Sequence, residues 1–213
     1  MKIFKILFAT LSFLAISLFA TAQEESQPIF YMVSYMKVKT GNHDDYIALE
    51  KAWKKIHEAR IKAGNLDGWF LHSVEAPYGT GSEYNYVTVN QFNGRKKIAA
   101  AMEGGVMPDN LKELLTEEEL KLVQRTSEIR DMVRNDIVRY RIGAFPAEGT
   151  PMPKYAVVNY MSVKEGTTLP EYGELEEKYW KPIHKARVAK KEMNAWGVYS
   201  VSLPYGTNRP YDA

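Results

Sequence analysis

A chain of 213 residues, 45% hydrophobic and 25% charged, has the composition of a globular protein with one sizeable core or two small ones. Cysteine is absent, which excludes disulfides, thiol nucleophiles, thiolate metal sites and N-terminal lipoprotein acylation. The formal charge of +2 falls to about zero once Lys2 and Lys5 are set aside, so no basic footprint for nucleic acid remains.

Residues 1–22 read as a secretory signal. Lys2 and Lys5 supply the charged start, Ile6 to Ala20 the apolar stretch, and Ala20-Thr21-Ala22 a small-x-small cleavage site. No second apolar run is long enough to span a bilayer. The expectation is an exported protein, periplasmic or extracellular, without a membrane anchor once the signal is cleaved. A polar leader, 23–28, follows.

Ile29 to Val38 is rich in β-branched and aromatic residues and ends at Lys39-Thr40-Gly41, which predicts a strand and a turn. A helix is expected from Asp44 to Ala63, stopped by Gly64. Trp69 to Ala76 and Tyr84 to Phe92 read as a hairpin around Pro77-Tyr78-Gly79-Thr80. Arg95 to Met102 predicts a second helix, interrupted by Gly104-Gly105 and Pro108. Thr116 and Glu119 then form a capping box for a longer helix. The charges from Glu117 to Arg134 suggest a solvated face, and Ile137 to Phe145 a fourth strand.

Strand, helix, hairpin, helix, strand is the β-α-β-β-α-β order of a ferredoxin-like α+β unit, here 29–145. A Pro- and Gly-containing linker, 146–153, separates it from a second, incomplete copy, 154–213. Tyr155 to Val163 repeats the first strand, and EKYWKPIHKAR (Glu177 to Arg187) repeats EKAWKKIHEAR (Glu50 to Arg60). Between Glu50 and Tyr84 roughly 16 of about 35 positions match their counterparts, which marks a tandem duplication. The second copy stops where its third strand should begin. The expectation is a fragment of a longer product, or a unit completed by another chain.

On a helix, Glu50, Trp53, His57 and Arg60 fall within an arc of roughly 80°, together with Tyr46. That arc should face inward, so its carboxylate, imidazole and guanidinium need partners or a wet cavity. Glu177, Trp180, His184 and Arg187 repeat the set, with Tyr172 near the start of the second helix. Pro182 replaces Lys55 and is expected to kink that helix.

The element order and the duplication resemble the dimeric α/β-barrel superfamily, in which two ferredoxin-like units join as a homodimer or within one chain. Antibiotic-biosynthesis monooxygenase-like, EthD-like and NIPSNAP-like proteins are similar in layout, as are chlorite dismutases and haem-degrading monooxygenases. The resemblance implies a barrel and a pocket between helix and sheet. Such a pocket would take a small, apolar or aromatic organic molecule, with Trp53 and Trp180 as stacking walls and Tyr46 and Tyr172 beside them.

In a catalytic version without a cofactor, an oxygenation or isomerisation, His57 takes a proton, Arg60 holds developing negative charge and Glu50 orients the imidazole. His184, Arg187 and Glu177 would do the same in the second copy. Two alternatives stand beside this. A helix histidine could ligate haem, or the whole face could be a structural or interaction module. A metal site is disfavoured, because His43 and His72 have no counterparts in the second copy and too few ligands remain.

Overall fold

The computed structural model describes residues 27–76, 81–147, 150, 153–204 and 211–213. The secretory signal, most of the polar leader, most of both Pro-Tyr-Gly-Thr turns and much of the linker lie outside the described residues.

Strand β1 (Ile29–Val38) is the middle of a five-stranded antiparallel sheet, because its two faces have different work. Side chains alternate along a strand. Phe30, Met32 and Val38 join clusters packed beneath the helices, whereas Tyr31 and Tyr35 contact tyrosines of the second repeat on the other face. The turn at Gly41 leads into α1 (His43–Lys62), which has Asp44 and Asp45 in its first turn and Arg60 and Lys62 in its last, the favourable order for the helix dipole. Gly64, at φ +76°, ends it, and the Asn65 N–H bonds back to the Arg60 carbonyl.

β2 (Gly68–Ser73) and β3 (Tyr86–Asn93) form the hairpin, and α2 (Arg95–Met102) follows. Two short helices come next, α3 (Leu111–Leu114) and α4 (Glu117–Gln124), the latter started by the predicted capping box. A single turn, α5 (Thr126–Ile129), opens directly into β4 (Arg130–Ala144). The strand thus begins seven residues before Ile137, because β1 offers pairing partners as far as Val38, opposite Arg130. This corrects the reading of the charges from Glu117 to Arg134 as a solvated face: Arg130 and Arg134 are strand residues with mostly covered side chains. The order β2-β3-β1-β4 is that of a ferredoxin-like unit, built wholly from 29–145.

The second copy supplies α6 (Leu169–Leu175), a π-helical turn over Glu176–Trp180, α7 (Lys181–Ala189) and β5 (Trp196–Leu203). β5, the counterpart of β2, pairs with β4 and joins the copies in one open sheet. Three hydrogen bonds of the first copy recur at matching positions. Asn85 N–H to Met36 O, Val74 N–H to Asn85 O and Val38 N–H to Asn85 Oδ1 (3.0, 2.9 and 2.8 Å) are matched by Asp212 N–H to Met161 O, Val201 N–H to Asp212 O and Val163 N–H to Asp212 Oδ2 (2.8, 2.9 and 3.0 Å).

Tyr155 to Val163, expected as a strand, forms no ladder among the described residues. β1 holds its conformation by pairing on both sides with β3 and β4; the backbone of its counterpart hydrogen-bonds to the short segment at Asp212 and Ala213.

Where the copies meet, four tyrosines gather around one guanidinium. Arg134 lies 3.8 Å from the Tyr35 ring centroid and 5.4–5.8 Å from those of Tyr84, Tyr160 and Tyr211. Tyr35 and Tyr160, counterparts in the two repeats, share a 3.0 Å hydrogen bond. Arg134 also pairs at 3.2 Å with the buried Asp136, which accepts a hydrogen bond from the Tyr211 hydroxyl.

Candidate functional site

The inward arc of α1 divides into two groups. Tyr46 and Glu50 lie toward the helix start and are fully or almost fully buried. The Glu50 carboxylate faces Arg130 on β4, with Oε1 3.5 Å from Nε. Burial pushes the Glu50 carboxyl up, while Arg130 and the Tyr46 hydroxyl pull it down. The same burial drives the Tyr46 hydroxyl well above its ordinary range. Glu50 therefore serves Arg130, not the imidazole: the expected Glu50–His57 relay does not form, because one strand arginine takes the carboxylate first.

His57, 9% exposed, lies between two indoles. Its ring stacks on Trp53 at 5.7 Å and on Trp69 of β2 at 5.3 Å, with interplanar angles of 26° and 22°. Arg60 Nη1 stands 3.3 Å from His57 Nδ1. Since a guanidinium only donates, Nδ1 is the acceptor and the imidazole is neutral with its proton on Nε2. Burial first, then the Arg60 charge, lowers the His57 pKa to about 3.

Arg60 continues past His57 to the surface. It lines a cleft of about 200 Å³ between the end of α1 and α2, with Asn65, Lys96, Lys97, Ala100 and Gly105. The Gly104-Gly105 turn matters here. Gly105 has φ +69°, and a Cβ on it would come to 3.2 Å from Arg60 Nη2. Lys97 is neutralised by Asp67 at 2.7 Å. Arg60 pairs with no carboxylate among the described residues, its Nε forms no hydrogen bond, and burial lowers its pKa.

The second copy keeps the stack but not the charges. His184 lies between Trp180 and Trp196 at 5.9 and 4.7 Å, both at 22°. Arg187 turns away to Glu192 at 3.6 Å, and His184 Nδ1 has no hydrogen-bond partner among the described residues. Burial, then Arg187, holds the His184 pKa below its ordinary value. Glu177, the sequence counterpart of Glu50, is exposed and pairs with Lys181 at 2.5 Å. The buried carboxylate is instead Glu176. The π-turn adds one residue, so Tyr172 and Glu176 reproduce the four-residue spacing of Tyr46 and Glu50; burial, then Glu176, raises the Tyr172 hydroxyl.

Sequence reasoning thus placed Trp53, His57 and Arg60 together correctly but missed Trp69, Trp196, Arg130 and Glu176. Trp69 and Trp196 carried a signal, since they occupy matching positions in the repeat; Arg130 and Glu176 carried none. No cluster of three or more metal-ligand side chains occurs among the described residues, and no described helix is long and apolar enough to cross a membrane.

No family model matches the chain, and no curated protein matches it. Among solved structures it is similar to a dimeric protein of unknown function and ferredoxin-like fold from Bacteroides fragilis NCTC 9343. The identity is 9%, the match covers 54% of this chain and 96% of that one, and the TM-score is 0.32.

Proposed function

We propose that the protein binds a small organic anion, with its acid group on Arg60 and its flat apolar part over Ala100 at the α1–α2 cleft, and that it does so as an exported protein. The observation that supports this reading is a half-buried guanidinium, open to a cleft, with no carboxylate partner among the described residues and one N–H unsatisfied. A buried charge without a counter-charge is costly, and a ligand carboxylate would supply both the charge and the bidentate acceptor that arginine fits. Lys96 at the rim adds attraction for the same sign.

Binding is favoured over proton abstraction by the state of His57. With a pKa lowered to about 3, the imidazole is a weak base at neutral pH, far from the matched value that general-base catalysis prefers. Its role is to hold Arg60 by accepting at Nδ1. Haem ligation has little support, since both ring faces are covered by indoles and Nδ1 is taken.

The test is calorimetric titration with 1-naphthoate and with its neutral amide. The expected outcome is that the acid binds, the amide does not, and Arg60→Gln weakens the acid by about tenfold or more with an unchanged circular dichroism spectrum. Equal binding of acid and amide, or of wild type and Arg60→Gln, would sink the proposal.

A further inference from the structure

The helix that carries Arg60 and the helix that carries Arg187 end in the same way. Gly64 and Lys191, at matching positions, both take positive φ, +76° and +61°. The Asn65 N–H then bonds to the Arg60 carbonyl at 2.9 Å, and the Glu192 N–H to the Arg187 carbonyl at 3.0 Å. Asn65 and Glu192 therefore start from equivalent backbone positions, each five residues after its arginine.

The arginines nevertheless go to different partners. Arg187 Nε pairs with Glu192 Oε2 at 3.6 Å, and His184 Nδ1 is left without a hydrogen-bond partner among the described residues. Arg60 Nη1 stays 3.3 Å from His57 Nδ1, and its Nε, the atom that faces a carboxylate in the second copy, is buried without a partner among the described residues. Asn65 lines the same cleft as Arg60, and its amide carries N–H donors but no charge. Asp67, two residues on, does not take the role of Glu192, because its carboxylate accepts from Lys97 Nζ and from the Asn93 N–H, both at 2.7 Å. Its counterpart is Asn194, so the two copies carry amide and acid in opposite order. A guanidinium prefers a carboxylate to a neutral acceptor, since the charge-assisted bond is the stronger one. Arg60 stays on the imidazole because position 65 offers it no carboxylate.

We propose that the residue five positions after the arginine decides whether that arginine can take a ligand: Asn65 leaves Arg60 on His57 and open to an external acid, to which its own N–H also donates, whereas Glu192 closes Arg187 from within. This role for Asn65 rests on the reading of the Arg60 cleft as an anion site.

Asn65→Glu and Asn65→Gln differ in charge and hardly in shape, so comparing them isolates the carboxylate. Two quantities are measured on each full-length variant: affinity for 1-naphthoate by calorimetry, and the nitrogen-15 resonance of His57 Nδ1, which needs no ligand. Asn65→Gln is expected to bind within about threefold of wild type, and Asn65→Glu about tenfold or more weakly. In Asn65→Glu alone, Nδ1 should move downfield, because the guanidinium that donates to it swings to the new carboxylate. Glu192→Gln, at an exposed position, is the converse: His184 Nδ1 should move upfield as Arg187 returns to it. A static Nδ1 in either copy would overturn the proposal, since weaker binding without that movement is repulsion between like charges and nothing more. Equal affinity of Asn65→Glu and Asn65→Gln would also overturn it, while leaving Arg60 as the anion site. Failure of wild type to bind 1-naphthoate while both resonances move as expected would instead overturn the anion reading, and with it the ligand role of Asn65.

Discussion

His57 is held neutral by its surroundings: two indoles remove water from its faces, and Arg60 adds a positive charge beside it. The consequence for stability has a definite sign. The folded pKa is about 3 against an ordinary 6.5, so the unfolded chain binds the proton first as pH falls. This histidine therefore favours folding fully above about pH 6.5 and progressively less down to about pH 3, a loss of a few kcal/mol. Between pH 5 and 6.5 the wild-type melting temperature should drop as acid is added. His57→Gln, which cannot titrate, should flatten that slope whatever its effect on stability at pH 7; an unchanged slope would mean that His57 is not the group responsible. Glu50 works in the opposite sense, since burial raises its pKa, but its window lies near and above 4.5.

At the scale of the element, one proline decides which carboxylate the second helix buries. Pro182 has no N–H to donate, and its ring would strike the carbonyl four residues back in a regular α-helix. The chain widens into a π-turn just before it, where the Lys181 N–H reaches the Glu176 carbonyl, five residues away. The extra residue rotates everything upstream by about 100°, exchanging Glu177 for Glu176 at the inward position. Replacing Pro182 with Lys, the residue at the matching position of α1, should remove the reason for the widening. In that variant, carbon-detected carboxylate resonances should show Glu177 becoming the buried group and Glu176 the exposed one. Retention of the wild-type pattern would place the cause of the π-turn in packing rather than in Pro182.

Across the whole molecule, the copies are joined by a continuous sheet through β4 and β5 and by the tyrosines around Arg134. The environment there is unevenly desolvated, with Tyr35 and Tyr211 buried and Tyr160 still 42% exposed. Burial, with Tyr35 adding to it, pushes the Tyr160 hydroxyl up to about 12, and burial drives Tyr35 and Tyr211 higher. Arg134 is a cation shared by rings of both repeats, and it faces the buried Asp136. Arg134→Gln should loosen the second copy by about 2–4 kcal/mol, since it strips a cation–π centre and leaves Asp136 without its counter-charge. Limited proteolysis should then cut within 154–204 faster while 29–145 stays protected; uniform acceleration across the chain would show that the cluster supports the first copy as much as the junction.

The amino-acid sequence by itself determined the α+β class, the order of elements in the first unit, the duplication, and the shared face of Trp53, His57 and Arg60. Each rests on local information: periodicity, turn residues, caps and repeated spacing. Only the tertiary structure decided that Glu50 goes to Arg130 rather than to His57, that Trp69 and Trp196 close the stacks, and that β4 starts at Arg130. It also decided that Tyr155 to Val163 stays out of the sheet and that Glu176 replaces Glu177. These outcomes share one physical reason. A strand exists only where neighbours accept its hydrogen bonds, and a buried charge settles on whichever partner packing brings to it. Neither fact is written within the few residues on either side.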